Sequence, residues 1–351
     1  MTPNKIGKAP GVEAGEIPQL SIMGTVAECG LRLGAGWREA LREQCRVPEH
    51  CDRKPWWEQR AVKPLVETHA PHLPVLFENM AKGAGMPIEH LLPLGPPDQG
   101  CTTFAIEGRQ TIGGYPLCGQ TKDTPSDRTY RYLVLCLEFT DAPALLTLTY
   151  PGWLFGHGFA AGRCSIWRNS LNTKNRPAGL ALPVWGLLAM HCRSVAEVAA
   201  MTLANGIDTS CHSTVVDSHG GIAGIECTDG GIDVLEPENG IYVHANAVRG
   251  KDALRVTEID LETFKREESF TRERRFRELA EAEQGRITPQ KLMAFLGDHS
   301  GHPVGICRHQ SDEARTTAAV VAEPAAGVLH VVRGNPCSNW SVSYALHQTI
   351  L

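Results

Sequence analysis

No apolar run in this 351-residue chain reaches the ~18 residues that span a bilayer. Met1 to Leu20 is polar with scattered charge, unlike the basic-then-apolar pattern of a secretory signal. Neither sign of charge dominates: the net charge of -5 is spread along the chain, so neither a nucleic-acid footprint nor a polybasic membrane anchor is indicated. The twelve cysteines include no C-x-x-C pair and the fourteen histidines no H-E-x-x-H, which argues against zinc ribbons, dithiol redox motifs and zincin centres. The expectations are reduced and mostly buried cysteines, no metal, no cofactor, no membrane or nucleic-acid partner, a small-molecule ligand and a cytoplasmic location.

What is present is apolar residue at 42%, enough for a substantial core in one large domain or two ordinary ones. Residues 1–19 read as a loose leader rich in Gly, Pro and charge. Helical spacing follows over Thr25 to Arg46, with Gly30, Gly34 and Gly36 as its weak points, and over Val62 to Ala84, interrupted at Pro64, Pro71 and Pro74. Pro93, Gly95, Pro96 and Pro97 then form a loop. Past it the texture changes to short β-rich runs, Cys101 to Ile106, Tyr115 to Gln120, Arg131 to Phe139 and Ala144 to Tyr150. Leu180 to Asn205 reads as helical, with a capping box at Ser194 and Glu197 and Gly206 as its stop.

Turn signals at His219-Gly220-Gly221, Asp229-Gly230-Gly231 and Asn239-Gly240 divide His212 to Ala245 into a four-stranded meander. The charged stretch Leu261 to Gln284, with Arg272, Arg274, Arg275 and Arg277, reads as a solvated helix face. Thr288-Pro289 starts another helix, and Thr316 to Ala322 with Val328 to Val332 closes the chain as a hairpin. Long β blocks separated from helix blocks imply an α+β fold with two stacked antiparallel sheets and helices outside.

The candidate chemistry centres on Gly100-Cys101, a thiol at the first position of a strand after a Pro-rich loop. Glycine leaves the preceding carbonyl unshielded and the backbone free to bend. Cleavage there makes Cys101 a chain start carrying both a thiol and an α-amine with an ordinary pKa of ~7.7 to 8, a nucleophile and a base in one residue.

Four strings, Gly100-Cys101-Thr102-Thr103, Gly119-Gln120-Thr121-Lys122-Asp123, His244-Ala245-Asn246 and Gly305-Ile306-Cys307-Arg308, occur in an order that resembles the acyl-coenzyme A:6-aminopenicillanic acid acyltransferase family of N-terminal-nucleophile (Ntn) hydrolases. Gln19 to Thr25 and Glu78 to Gly85 are similar too. The resemblance implies a single compact four-layer αββα sandwich and self-cleavage into chains 1–100 and 101–351, the first mainly helical from residue 20 onward. It also implies cleavage of a small N-acyl amide through a thioester on Cys101, with transfer of the acyl group to water or an amine. In this reading Asn246 stabilises the oxyanion, and Asp123 and Arg308 orient the amine or a substrate carboxylate. The family commonly has Asn-Trp where this chain has Thr121-Lys122, with Lys122 read as exposed. The alternatives are an uncut, non-catalytic binding protein of the same fold and a thiol or metal protein built on the cysteines.

Overall fold

The computed structural model describes residues 16–45, 54–95, 100–171, 173, 175–256, 266–303, 305–309 and 315–347. Most of the expected leader, the approach 96–99 to Gly100 and the start of the charged stretch, 257–265, lie outside the described residues.

The first strand, β1 (Gln19–Gly24), is followed by helices α1 (Val26–Gly36), α2 (Arg38–Gln44), α3 (Lys63–His69) and α4 (Leu73–Ala84). Six strands come next: β2 (Gly100–Ile106), β3 (Leu117–Thr124), β4 (Leu133–Phe139), β5 (Leu145–Thr149), β6 (His157–Ala160) and β7 (Ser165–Ser170). The chain then forms α5 (Leu182–His191), α6 (Val195–Asn205) and strands β8 (Cys211–Val216), β9 (Ile222–Thr228), β10 (Gly231–Leu235) and β11 (Ile241–His244). It finishes with α7 (Arg266–Ala282), α8 (Pro289–Leu296), β12 (Arg315–Glu323), β13 (Val328–Arg333) and β14 (Val342–Ala345).

The strands form an eight-stranded sheet in the order β1-β4-β5-β6-β7-β8-β9-β10 and a six-stranded sheet in the order β11-β2-β3-β12-β13-β14. Side-chain alternation assigns the layers. On β4, Leu133, Leu135 and Leu137 pack with residues of α1, α4 and α5, whereas Val134 and Cys136 pack with Ala318, Val320 and Ala322 of β12. The other face of β12, Ala319 and Val321, meets Phe276 of α7 and Leu292 and Leu296 of α8. Three apolar cores therefore separate four layers, α, β, β, α, as expected.

The sheets are not wholly antiparallel. β1 pairs with β4 in parallel register, Gln19 opposite Val134 and Gly24 opposite Phe139. A parallel partner needs a long crossover, and α1 to α4 with β2 and β3 intervene. The segment from residue 20 is thus not purely helical: its first element closes the edge of the large sheet. The meander has its four strands, but only β8, β9 and β10 stay in that sheet; β11 crosses over and pairs with β2, Val243 opposite Phe104. Its turn is formed as expected, with Asn239 and Gly240 at φ 51 and 77. β6, β7 and β14 were missed because they are short and carry His, Asn, Arg and Ser among their apolar residues.

Two of the three glycines that weakened the first helix, Gly30 and Gly34, are what seat it against α4. A Cβ on Gly34 would lie 2.0 Å from the Met80 carbonyl, and one on Gly83 2.1 Å from that of Leu31. α1 and α4 meet backbone to backbone. Gly34→Ala is expected to cost about 1–3 kcal/mol by overpacking, read as a lower urea midpoint; the exposed Gly36, with nothing within 4 Å of its Cβ direction, is the control and should tolerate alanine.

Candidate active site

β2 pairs with β3 so that Gly100 lies opposite Asp123, Cys101 opposite Lys122 and Thr103 opposite Gln120. Alternation turns Cys101, Thr103, Lys122 and Gln120 toward the large sheet, and Thr102, Thr121 and Asp123 toward α7. Thr103 accordingly accepts from Thr214 of β8 (2.9 Å). Cys101 is 1% exposed.

On the helix side the centre is Arg272, in the stretch read from sequence as solvated. It is 2% exposed. Its Nη1 donates to the Cys101 carbonyl and to Thr102 Oγ1 (both 2.8 Å), its Nη2 donates to Asn246 Oδ1 (2.9 Å), and Asp123 Oδ2 lies 3.8 Å from Nη1. The error has a physical source. α7 is charged all round, but Ser269, Arg272, Glu273, Phe276 and Ala280 recur at helical spacing and form one buried stripe. Phe276 and Ala280 in register with Arg272 were the available signal.

The same stripe holds the loop after β11. The Ala245 N–H donates to Glu273 Oε1 (2.8 Å) and the Asn246 N–H to Ser269 Oγ (3.3 Å). Below it, His244 Nε2 meets Glu226 Oε1 at 2.6 Å, and Glu226 also accepts from the N–H groups of Arg249 and Gly250. These charge-assisted bonds hold the Glu226 carboxyl below its ordinary pKa despite burial. Asn246 is fixed by them. Its Oδ1 accepts from the Cys101 N–H (3.2 Å) and its Nδ2 donates to the Ser170 carbonyl (2.9 Å).

On the sheet side, Lys122 is 1% exposed, not the surface lysine read from sequence. A lysine next to an aspartate in a polar string carries no mark of burial; the cross-strand register with Cys101 supplies it. Its Nζ lies 2.9 Å from His157 Nε2, and Lys122 stands directly across the strand pair from Cys101. Burial pushes the thiol pKa up, opposed first by the Lys122 charge, and pulls the Lys122 pKa down. His157 is driven well below its usual value by burial and by Lys122. Gln120 ties this face together, Nε2 4.0 Å from Cys101 Sγ and Oε1 accepting from the Arg168 N–H (3.1 Å).

Of the residues singled out from sequence, Cys101, Asp123 and Asn246 come together. Asp123 accepts from Thr316 Oγ1 (2.8 Å); burial raises its pKa, countered first by Arg272 and then by Arg308. Arg308 itself pairs with Glu268 (3.3 Å), and its N–H donates to Thr316 Oγ1 (2.9 Å), so it reaches Asp123 through charge and through Thr316. Arg272 adds direct contacts to Cys101, Thr102 and Asn246 that the sequence did not point to. A cavity of about 630 Å³ lined by Trp57, Glu58, Glu78, Lys82 and Met86 lies among the helices, away from this constellation. None of its described helices is long and apolar enough to cross a membrane.

Comparison with known proteins adds the relatives of this arrangement. Residues 113–338, more than half of the chain, match the family described as acyl-coenzyme A:6-aminopenicillanic acid acyl-transferase. That span contains Asp123, Asn246, Arg272 and Arg308 and begins after Cys101. No curated protein matches significantly. Among solved structures, a mutant of the conjugated bile acid hydrolase of Clostridium perfringens is 13% identical, covering 71% of this chain and 98% of its own, with a TM-score of 0.47. A second variant of that enzyme is 15% identical, covers 72% and 98%, and has a TM-score of 0.44. The penicillin V acylase of Agrobacterium tumefaciens is 12% identical, covers 66% and 82%, and has a TM-score of 0.38.

Proposed function

Because the chain belongs to the acyl-coenzyme A:6-aminopenicillanic acid acyltransferase family, we propose that it is a self-processing cysteine amide hydrolase or acyltransferase whose nucleophile is Cys101. The observation that carries this reading is the clamp on Cys101, on the leaving side of the Gly100-Cys101 bond. The Cys101 N–H is held by Asn246 Oδ1, its carbonyl by Arg272, and its thiol lies against Lys122.

Self-cleavage then runs as follows. Lys122, whose burial favours the neutral amine, takes the thiol proton, and the sulfur attacks the Gly100 carbonyl. The C–N bond breaks as the departing nitrogen takes back that proton from Lys122, leaving a thioester on Cys101 and a free α-amine. Water cleaves the thioester to give the Gly100 carboxylate and restores the thiol. Asp123 lies beside the bond that breaks: an ideal Cβ at Gly100 would be 3.4 Å from the Asp123 Cβ. Asp123 Oδ2 is buried and accepts no hydrogen bond among the described residues, which leaves it to hold the new ammonium with Asn246 Oδ1.

In turnover the thiol attacks the carbonyl of an N-acyl substrate, and the α-amine carries the thiol proton to the departing amine. The acyl-thioester is released by water or by an acceptor amine. Asn246 serves first as the acceptor that positions the α-amine. Its Nδ2 becomes the oxyanion donor only on leaving the Ser170 carbonyl. The charges of Arg272 and Arg308 oppose the upward shift that burial imposes on the Asp123 carboxyl.

The test is the intact mass of the purified protein together with product analysis on a panel of N-acyl amino acids and β-lactam amides. Pieces of 100 and 351 − 100 = 251 residues with amide cleavage are expected. A whole chain that cleaves none of the panel overturns the reading in favour of a non-catalytic binding protein.

A further inference from the structure

Beside Arg308, three separate segments converge on one point. His299 follows α8, Cys307 and His309 flank Arg308 ahead of β12, and Cys337 lies in the connection from β13 to β14. His299 Nε2 and His309 Nε2 are 2.9 Å apart, Cys307 Sγ and Cys337 Sγ 3.7 Å, and His309 Nε2 lies 3.5 Å from Cys307 Sγ and 3.3 Å from Cys337 Sγ. All four candidate ligand atoms lie within 4.8 Å of one another.

The Cys307–Cys337 and His309–sulfur separations match the edges of a tetrahedron around one small cation, and the His299–His309 separation lies within about 0.4 Å of its edge. Zinc bonds of about 2.3 Å to sulfur and about 2.0–2.1 Å to nitrogen give edges of about 3.8 Å between sulfurs, about 3.5 Å between sulfur and nitrogen and about 3.3 Å between nitrogens. A disulfide does not describe the pair, since 3.7 Å is far beyond the S–S bond length of about 2.05 Å. We propose that His299, Cys307, His309 and Cys337 form a Cys2His2 zinc site. Two thiolates with two imidazoles in tetrahedral array select zinc over the hard divalent cations. Four protein ligands leave no open position, so the site is structural.

The surroundings fit that role. Asn335 Nδ2 donates to Cys307 Sγ (3.4 Å) and to the Arg308 carbonyl (2.8 Å), the outer-shell bond a metal thiolate commonly receives, and Asn335 Oδ1 accepts from Arg315 (3.0 Å). The Cys307 N–H donates to the Asp298 carbonyl (3.1 Å), while Asp298 is held by Arg275 of α7 (2.9 Å). The ion thereby ties α8, the Arg308 segment and the last hairpin together, and sets the arginine that acts on Asp123. The expectation of no metal rested on missing C-x-x-C and H-E-x-x-H signatures; here only Cys307-x-His309 is local, and the other two ligands arrive by folding.

The test uses the full chain purified from zinc-supplemented cells, with metal content by mass spectrometry and spectra after exchange with Co2+. About one zinc per chain is expected, with the intense visible bands of tetrahedral cobalt and a thiolate-to-cobalt charge-transfer band. Cys337→Ser and His299→Gln change exposed ligands, so folding should survive; both are expected to lower zinc at least about fivefold, and the serine variant to weaken the charge-transfer band. A wild-type chain without zinc that takes up no cobalt, whether its thiols are free or oxidised, overturns the site. So do variants that keep a full equivalent of zinc. Neither readout depends on amide cleavage.

Discussion

Cys101→Ala is expected to leave all 351 residues in one chain and to lower amide cleavage by at least about 10⁴-fold, the scale seen when a covalent nucleophile is deleted. Without sulfur nothing attacks the Gly100 carbonyl, so no α-amine is generated, and nucleophile and base are lost together. Cys118→Ala separates this from a general loss of thiols. Cys118 is buried in the same inter-sheet core, where its Sγ lies 3.5 Å from Ser165 Oγ. Its replacement is expected to cost some stability and to leave both fragments and turnover in place. Intact mass and initial rates check both variants. Cleavage at residue 100 in Cys101→Ala would sink the proposed chemistry.

Arg272→Met is expected to slow self-cleavage by about 10²-fold, the scale for misplacing a reacting group by about 1 Å, because Arg272 holds Cys101 by its own carbonyl, one peptide beyond the carbonyl that is attacked. Three acceptors each lose a donor at once: the Cys101 carbonyl, Thr102 Oγ1 and Asn246 Oδ1, the last keeping the Cys101 N–H. The variant also leaves Asp123 buried without its nearest cation, a change that typically costs about 3–5 kcal/mol. A pH profile distinguishes positioning from simple destabilisation. Burial raises the Asp123 pKa and Arg272 is the largest influence holding it down, so removing Arg272 raises it further. Asp123 then stays protonated to higher pH, and the acid limb of residual activity moves upward. Arg272→Lys keeps the charge but loses the planar fork, so it is expected to return the acid limb toward the wild-type position while recovering only part of the rate. If Arg308→Met impairs processing more than Arg272→Met, the order of importance read from the contacts is wrong.

Local pattern carried much of the architecture. Strand β2 begins at Gly100, one residue before the expected Cys101, in a short run rich in Thr, Phe and Ile that follows a Pro-rich loop and has no helical period. α8 starts after Thr288, whose hydroxyl accepts from the Lys291 N–H (3.3 Å), as its Thr-Pro opening implied. Ser194 caps α6 in the same way; Glu197, the other half of the expected box, turns instead to the Arg193 N–H (2.8 Å). The break between α3 and α4 at Ala70 to His72 follows from Pro71. Each of these signals lies within a few residues of the feature it specifies.

The sequence by itself determined the α+β class, the Gly100-Cys101 step and the strings that single out Asp123, Asn246 and Arg308, since periodicity, caps, turns and family motifs are all properties of short stretches. Only the tertiary structure decided that β11 leaves its meander and delivers Asn246 to β2, that Lys122 faces the thiol and that Arg272 is buried on Asp123. It also decided that His299, Cys307, His309 and Cys337 meet. The reason is the same in each case. A charged side chain has the same local pattern whether it faces water or a partner, and the partner lies tens to hundreds of residues away, where pairing register rather than spacing brings it into contact.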